Sequence, residues 1–268
     1  MTVLLTLGLA AAAAAGEQET GQSLEVNGID LHYRVIGEGE PLLLLHSGTQ
    51  TGRMFDPFVE AFSANYRLII PDLRGHGGST NPEGIWTTRQ FADDVFALLD
   101  HLEIDRIKAI GASAGAMTLL HMATQQPGRV EALIVIGAGT YLPVSCREVL
   151  AGTDGEAFPD AVWERYRSIH HYGDDQIRSL FDWVASLAES YDDMTFTPAR
   201  LATVSARTLI VHGDRDYCFP ASMAWDIYAA IPEAYLWVIP NGGHVPIDGP
   251  HAEAFSAAAL DFLAGMWE

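Results

Sequence analysis

Short apolar runs alternate along the chain with longer segments that have helical patterning. The runs Ser23–Val26 and Ile29–Ile36 flank Asn27-Gly28, a dipeptide that favours the left-handed backbone of a tight hairpin turn. The next run, Leu42–Leu45, is apolar at every position, which is typical of a strand buried on both faces of a parallel sheet. The chain is therefore predicted to open with an antiparallel hairpin and to continue into a parallel sheet.

The same alternation continues to the end of the chain. Further strands are predicted at 66–70, 107–110, 130–136, 208–212 and 235–239. Helices with apolar residues at helical spacing are predicted at 53–64, 87–102, 115–126, 221–230 and 251–265. Strands that alternate with helices predict an α/β fold with a mostly parallel central sheet and helices on both faces.

One aromatic-rich segment, 141–203, interrupts this alternation between two core strands. Its aromatic residues include Trp163, Tyr166, Tyr172, Phe181, Trp183 and Tyr191. Because ligands bind at the carboxyl ends of parallel strands, where the segment leaves and re-enters the sheet, we interpret it as a small helical cap. The core then comprises 19–140 and 204–268, with Phe181 and Trp183 as candidate pocket residues. The alternative is an excursion without substrate contact.

Composition and charge narrow the classes of partner. The 268 residues are 49% apolar, enough for one large core, and 35 acidic against 15 basic residues give a net charge of −20. Such a charge argues against nucleic acid and against anionic membranes as partners. The two cysteines, Cys146 and Cys218, are too few for a disulfide framework, so we predict unpaired thiols. No cluster has metal-ligand spacing, and no metal is expected.

The N-terminal segment 1–18 is excluded from the predicted fold. The run from Val3 to Ala15 is apolar and rich in alanine, and it is too short to span a bilayer as a helix. It is similar to the apolar region of a secretory signal, with small residues near Ala15 and Gly16, although no Lys or Arg precedes it. Export is therefore the expectation, and a cytoplasmic location is the alternative.

The clearest chemical motif is Gly111-Ala-Ser-Ala-Gly115, between a predicted strand and a predicted helix. A sharp strand-to-helix turn forces Ser113 into a strained backbone conformation, and flanking glycines avoid the clashes that side chains would make. The Ser113 hydroxyl is then raised above the sheet at a helix N-terminus, where free amides favour developing negative charge. Ser113 is predicted to be a nucleophile.

Several stretches taken together resemble the α/β-hydrolase superfamily over residues 22–266. Besides the Ser113 turn, they are Leu42–Gly48, Asp72–Ser79, His212–Pro220 and Gly242–His244. The resemblance implies the α/β-hydrolase fold and a Ser–acid–His order of catalytic residues. It implies no cofactor, and it is much less specific for any one activity.

The base and the acid of the triad follow from chemistry and from this resemblance. A serine hydroxyl needs a base, and histidine has a suitable pKa; His244 follows a strand and two glycines. Asp214 and Asp216 both follow the strand that ends at His212, and either could orient the base. The resemblance favours Asp216 as the acid, with Asp214 fixing the loop through backbone amides.

The predicted oxyanion donors are the backbone amides of Ala114 and Gly48. Ala114 follows the nucleophile, and the Gly48 amide is implied by the superfamily's His-Gly loop, which here contains Ser47 where a glycine is usual. His46 and His76 lie in turns of the superfamily pattern and are interpreted as loop-fixing residues.

The favoured function is hydrolysis of carboxylic esters through an acyl-enzyme, with a small-molecule ester as substrate. Two alternatives within the same fold are hydrolysis of a carbon–carbon bond in a diketone-like substrate and a cofactor-free perhydrolase or haloperoxidase activity. An alternative of another class is a small-molecule receptor that keeps the triad. The oligomeric state is not predicted.

Overall fold

Eight strands form a single sheet within residues 21–267, which are the residues that the computed structural model describes. They are β1 (Gln22–Val26), β2 (Ile29–Ile36), β3 (Glu40–Leu45), β4 (Tyr66–Pro71), β5 (Ile107–Ala112), β6 (Val130–Ile136), β7 (Arg207–Gly213) and β8 (Ala234–Ile239). Their order is β1-β2-β4-β3-β5-β6-β7-β8. The pairs β1–β2 and β2–β4 are antiparallel and the others are parallel, which confirms the predicted mostly parallel sheet. The predicted signal segment 1–18 lies outside the described residues.

Helices cover both faces of the sheet, as predicted. They are α1 (Asp56–Ser63), α2 (Thr88–His101), α3 (Ala114–Gln125), α8 (Ala221–Ala230) and α9 (Ala252–Leu263). Side chains alternate along β3, so Leu43 and Leu45 join the core under α2, α3 and α8, whereas Leu42 and Leu44 join the core under α1 and α9. Burial on both faces explains why this strand is apolar at every position.

The predicted helix boundaries need small corrections at the ends. The predicted helix 53–64 begins as a 3₁₀ turn at Gly52–Phe55 and becomes α1 at Asp56. Pro57 occupies the first turn of α1, where its missing N–H costs nothing. The helix α2 starts one residue later than predicted because the Thr87 side chain caps it, accepting a hydrogen bond from the Gln90 amide.

The segment predicted as a cap contains α4 (Val144–Ala151), α5 (Asp160–Ile169), α6 (Gly173–Ser186) and α7 (Pro198–Leu201). Helices α5 and α6 share a small apolar cluster of their own, formed by Trp163, Tyr166, Ile177 and Phe181. Phe196 and Leu201, near α7, instead pack into the main core. None of the helices described between residues 21 and 267 is long and apolar enough to cross a membrane.

Candidate active site

Ser113 occupies the turn between β5 and α3 with φ 50° and ψ −113°. Backbone strain of this kind costs on the order of 1–3 kcal/mol and persists only where the surroundings impose it. The flanking glycines are required: a Cβ on Gly111 would lie 2.6 Å from the Gly115 carbonyl oxygen, and one on Gly115 would collide with the Leu45 carbonyl. The Ser113 amide donates to the Ile136 carbonyl at 2.8 Å. The Ser113 side chain is thereby fixed at the N-terminus of α3.

The three residues predicted as a triad lie in hydrogen-bond contact. Ser113 Oγ is 2.8 Å from Nε2 of His244, and Nδ1 of His244 is 2.8 Å from Oδ2 of Asp216. Both distances are within the range for proton transfer and for orientation of the imidazole. His244 follows β8 and Asp216 follows β7, so the carboxyl ends of neighbouring parallel strands bring the base and the acid together.

Asp216, and not Asp214, contacts the histidine. Its carboxylate is fully buried, and Oδ1 accepts hydrogen bonds from the amides of Cys218 (2.7 Å) and Phe219 (3.0 Å). Burial by itself raises the pKa of Asp216, but the bond to His244 and the two amides outweigh it and lower the pKa below its usual value. Asp216 is therefore held ionised beside His244.

The loop-fixing role expected of Asp214 is not observed. The Asp214 side chain is about one-third exposed and lies 3.8 Å from Arg215 Nε. The backbone amides of the loop point instead at Asp216, which combines loop fixation with orientation of His244. The free amides of the turn reach Asp216 because its carboxylate is buried beside them, whereas Asp214 points towards solvent.

Gly48 and Ala114, the predicted oxyanion donors, are neighbours. A Cβ built on Gly48 would lie 3.7 Å from the Ala114 Cβ. Within residues 21–267, neither amide donates to another group of the protein. Ser47 keeps an ordinary backbone, and Thr49 is the residue of this loop with a left-handed φ, 60°. Ser47, which replaces the glycine that is usual in this loop, therefore causes no backbone strain at its own position.

His46 and His76 fix this loop, as predicted. The Leu73 amide donates to Nε2 of His46 at 2.8 Å, and Nδ1 of His46 donates to the Ser47 carbonyl at 2.8 Å. The Thr49 amide donates to Nε2 of His76 at 3.2 Å. A nitrogen that accepts from an amide carries no proton, and burial lowers the pKa of both histidines. Both are neutral side chains that hold the loop containing Gly48.

The two candidate pocket residues lie in different environments. Trp183 is stacked on Trp86, with ring centroids 5.4 Å apart and planes 16° apart, and its ring would lie 3.3 Å from a Cβ on Gly48. Phe181 contacts the rings of Trp163 and Tyr166 within the segment 141–203. Because residues two apart on a helix project in nearly opposite directions, only Trp183 faces the oxyanion loop. The Phe181 assignment is therefore not supported by its contacts.

Cys146 in α4 and Cys218 after β7 form a disulfide, so the prediction of two unpaired thiols is wrong. The cysteines are 72 residues apart in sequence. They meet because the chain leaves the sheet after β6, forms the segment 141–203, called the insertion below, and returns beside the loop that carries Asp216. Low cysteine content argues against a framework of several disulfides, but it does not exclude a single one.

The described part of the chain contains no group of three or more His, Cys, Asp or Glu residues arranged to hold a metal ion.

Sequence reasoning missed two residues at this site. His170 and Tyr166, both in the insertion, contact Thr49 of the oxyanion loop at 3.1 Å. No local motif marks either residue, because its partner lies more than one hundred positions away in sequence.

Known proteins resemble this chain in sequence and in fold. The family model described as "alpha/beta hydrolase fold" matches residues 40–166. Pimeloyl-[acyl-carrier protein] methyl ester esterase of Xanthomonas campestris pv. campestris is 29% identical, over 88% of this chain and 100% of that protein. The 2-hydroxy-6-oxononadienedioate/2-hydroxy-6-oxononatrienedioate hydrolase 2 of Pseudomonas putida is 28% identical, over 88% of this chain and 92% of that protein.

The crystal structure of the enol-lactonase from Burkholderia xenovorans LB400 superposes with a TM-score of 0.74 at 26% identity, and the match covers 91% of this chain and 100% of that chain. By their names, these three relatives are an esterase, a hydrolase and a lactonase. Together with the observed sheet topology and the turn at Ser113, these similarities lead to one conclusion: the chain has the α/β-hydrolase fold.

Proposed function

We propose that this protein is a serine carboxylesterase that hydrolyses esters with small acyl groups through an acyl-enzyme. The observation that carries the proposal is the hydrogen-bonded chain from Ser113 Oγ through His244 to the buried carboxylate of Asp216. A hydroxyl, an imidazole and an ionised carboxylate in this order are the parts that acyl transfer requires.

The first half of the reaction forms the acyl-enzyme. Ser113 Oγ attacks the ester carbonyl carbon while its proton passes to Nε2 of His244, and Asp216 stabilises the imidazolium. The negative charge that develops on the carbonyl oxygen is accepted by the amides of Gly48 and Ala114. Collapse of the tetrahedral intermediate breaks the bond to the alcohol oxygen. The leaving alcohol takes the proton from His244.

The second half releases the acid. His244 accepts a proton from water, and the resulting hydroxide attacks the acyl carbon, again with the oxyanion at Gly48 and Ala114. Collapse of this intermediate breaks the bond to Ser113 Oγ, which recovers its proton from His244. The products are one carboxylic acid and one alcohol, and the reaction consumes one water.

Two features favour small neutral esters over larger or charged substrates. The Trp183 ring lies against Gly48 and packs on the rings of Trp86 and Phe91. These three rings limit the space beside the oxyanion donors. The net charge of −20 repels anionic substrates over distances of about a Debye length, roughly 8–10 Å at ordinary ionic strength. A neutral ester meets no such barrier.

The second candidate is cleavage of a carbon–carbon bond. It is favoured by the Pseudomonas putida relative, whose named substrates are 2-hydroxy-6-oxo dicarboxylates without an ester group. The same nucleophile and oxyanion donors could attack a ketone carbonyl. A dicarboxylate substrate would have to approach this strongly acidic protein, however, so we place it second.

Export from the cytoplasm is part of the same proposal. The disulfide between Cys146 and Cys218 is of a kind that forms and persists in oxidising compartments. This supports the interpretation of the apolar segment 3–15 as a secretory signal.

A substrate panel tests the proposed reaction. We expect a burst followed by steady turnover with p-nitrophenyl acetate and butyrate, falling activity towards the palmitate ester, and slower cleavage of a vinylogous 1,5-diketone acid. Turnover of the diketone acid alone would overturn the esterase proposal in favour of carbon–carbon hydrolysis. Saturable binding of the esters without turnover would indicate a receptor.

A further inference from the structure

His170, at the junction of α5 and α6, is bonded through both ring nitrogens to the backbone of the core. The Gly77 amide donates to its Nδ1 at 2.9 Å, and its Nε2 lies 3.1 Å from the Thr49 carbonyl oxygen. An amide N–H can only donate, so Nδ1 is unprotonated and Nε2 carries the proton that it donates to Thr49. The side chain is buried, with 2% of its surface exposed.

The residue that His170 holds is the strained member of the oxyanion loop. Thr49 directly follows Gly48 and has a left-handed φ of 60°, which is uncommon for a residue branched at Cβ. Its amide is taken by His76 and its carbonyl by His170. The peptide group on each side of Thr49 is therefore held by an imidazole, and the first of these peptide groups is joined directly to Gly48.

A second residue of the insertion supports the same contact. The Tyr166 hydroxyl is 3.1 Å from the Thr49 hydroxyl, and the Tyr166 ring is stacked on His170 with planes 9° apart. The turn on the other side of His170 is held as well, since the Gly77 carbonyl accepts from the His171 amide at 3.0 Å. The α5–α6 junction is therefore hydrogen-bonded both to Thr49 in the oxyanion loop and to the turn at Gly77.

We infer that His170, assisted by Tyr166, is a positioning residue for the oxyanion hole: the insertion aims the Gly48 amide by fixing the Thr49 carbonyl. This inference rests on the proposed function, because the proposed function is what gives the Gly48 amide a role in acyl transfer. His170 acts through Thr49 and need not touch the substrate. Its loss is expected to weaken stabilisation of the transition state more than it weakens substrate binding.

Two replacements of His170 separate the two hydrogen bonds. Asparagine places a polar atom near the position of Nδ1 and removes the donor to Thr49, whereas glutamine places an amide NH₂ near the position of Nε2. Removing an oxyanion donor costs about 10²–10³ in kcat, and displacing one costs less. We therefore expect His170→Asn to lower kcat for p-nitrophenyl acetate on the order of 10- to 100-fold with little change in KM. The loss in His170→Gln should be smaller.

The matched control is Tyr172→Phe. The Tyr172 hydroxyl donates to the Gly78 carbonyl at 3.2 Å, so it joins the same insertion to the same turn with no hydrogen bond to residues 47–49. This variant should keep the parent's kcat and KM. Tyr166→Phe removes only the hydroxyl bonded to Thr49, and it should lower kcat severalfold at unchanged KM. Tyr166→Phe therefore still tests the positioning role if His170→Asn does not fold.

A readout other than turnover separates this inference from the proposed function. Amide hydrogen exchange over residues 46–50 should accelerate in His170→Asn and Tyr166→Phe and stay at the parent's rate in Tyr172→Phe. That result with an inactive parent protein would overturn the esterase proposal and retain the positioning role. Unchanged exchange and unchanged kcat in both variants, or an equal loss in Tyr172→Phe, would overturn the positioning role while leaving esterase activity in place.

Discussion

The carboxylate of Asp216 accepts a 2.7 Å hydrogen bond from the amide of Cys218. The sulfur of Cys218 is bonded to that of Cys146 in α4. The loop that carries the acid is therefore tied covalently to the insertion, two residues from the acid itself. Because Asp216 in turn lies 2.8 Å from Nδ1 of His244, the disulfide restrains the loop that holds the His244 ring.

Reduction of this disulfide should destabilise the protein and lower its activity. A bond that closes a loop of 72 residues removes much of the freedom of the unfolded chain, and such bonds typically contribute roughly 2–4 kcal/mol. We expect dithiothreitol to lower the melting temperature and to reduce kcat, since the acid loop is then free to move. The Cys146→Ser, Cys218→Ser double variant should resemble the reduced parent and should not respond to the reductant. An unchanged melting temperature of the fully reduced parent would contradict this.

The two aspartates of the acid loop should behave very differently. Asp216→Asn keeps an acceptor for the amides of Cys218 and Phe219 but removes the charge beside His244. In a serine protease the equivalent change costs about 10⁴-fold in kcat, and a loss of that order is expected here. Asp214 is partly exposed and lies 3.8 Å from Arg215, so Asp214→Asn should change kcat little and the free energy of unfolding by less than about 0.5 kcal/mol. Steady-state kinetics and thermal melts of both variants decide the assignment, and the reverse ranking would move the acid to Asp214.

Trp183 and Phe181 provide a matched pair for the acyl pocket. Trp183→Ala should shift the preference among p-nitrophenyl esters towards longer acyl chains, because space opens beside Gly48. Phe181→Ala leaves a cavity in the cluster of Trp163 and Tyr166, and it should cost about 3–5 kcal/mol of stability without a comparable shift in preference. The ratio of kcat/KM for octanoate to that for acetate measures the effect. The same ratio in both variants would exclude Trp183 as the residue that limits the acyl group.

Buried histidines should make the protein sensitive to acid. Burial lowers the pKa of His170 and of His121 from 6.5 to about 4. Between pH 6.5 and about pH 4 the unfolded chain binds more protons than the folded one, so the free energy of unfolding decreases as the pH falls through this range. Each such histidine contributes a slope of about 1.4 kcal/mol per pH unit. Melting temperatures measured from pH 8 to pH 4 should fall below about pH 6.5, and His121→Gln should flatten the slope. A constant melting temperature down to pH 4.5 would contradict the buried neutral forms.

The parts of the fold that follow local rules could be predicted from the sequence. The all-apolar strand Leu42–Leu45, the glycines around Ser113 and the histidine after Gly242-Gly243 each carry their structural reason within a few residues. Parallel strands end at one edge, so predicted loops after β5, β7 and β8 had to meet there. The sequence therefore predicts that Ser113, His244 and an aspartate of the loop after β7 lie close together, whereas the preference for Asp216 over Asp214 rests on the resemblance to the α/β hydrolases.

Contacts between the insertion and the core could not be predicted in this way. His170 meets Thr49 across 121 residues, and Cys146 meets Cys218 across 72. Neither pair has a motif, because helix packing alone decides which residues of the insertion come near the oxyanion and acid loops. Phe181 and Trp183 were both predicted to line the pocket. Which of them faces Gly48 depends on the rotation of α6 about its axis, which the sequence pattern of a helix buried on two sides does not specify.

The most direct test of the central claim is the fate of Ser113 during turnover. Rapid quenching of the parent with p-nitrophenyl acetate, followed by intact mass and peptide analysis, should reveal one acetyl group on Ser113 and a burst of p-nitrophenol equal to the enzyme concentration. Ser113→Ala should fold with the parent's melting temperature, form no adduct, and lose at least ~10³-fold in kcat. A Ser113→Ala protein within about tenfold of the parent's kcat, or an acetyl group on another residue, would contradict the account.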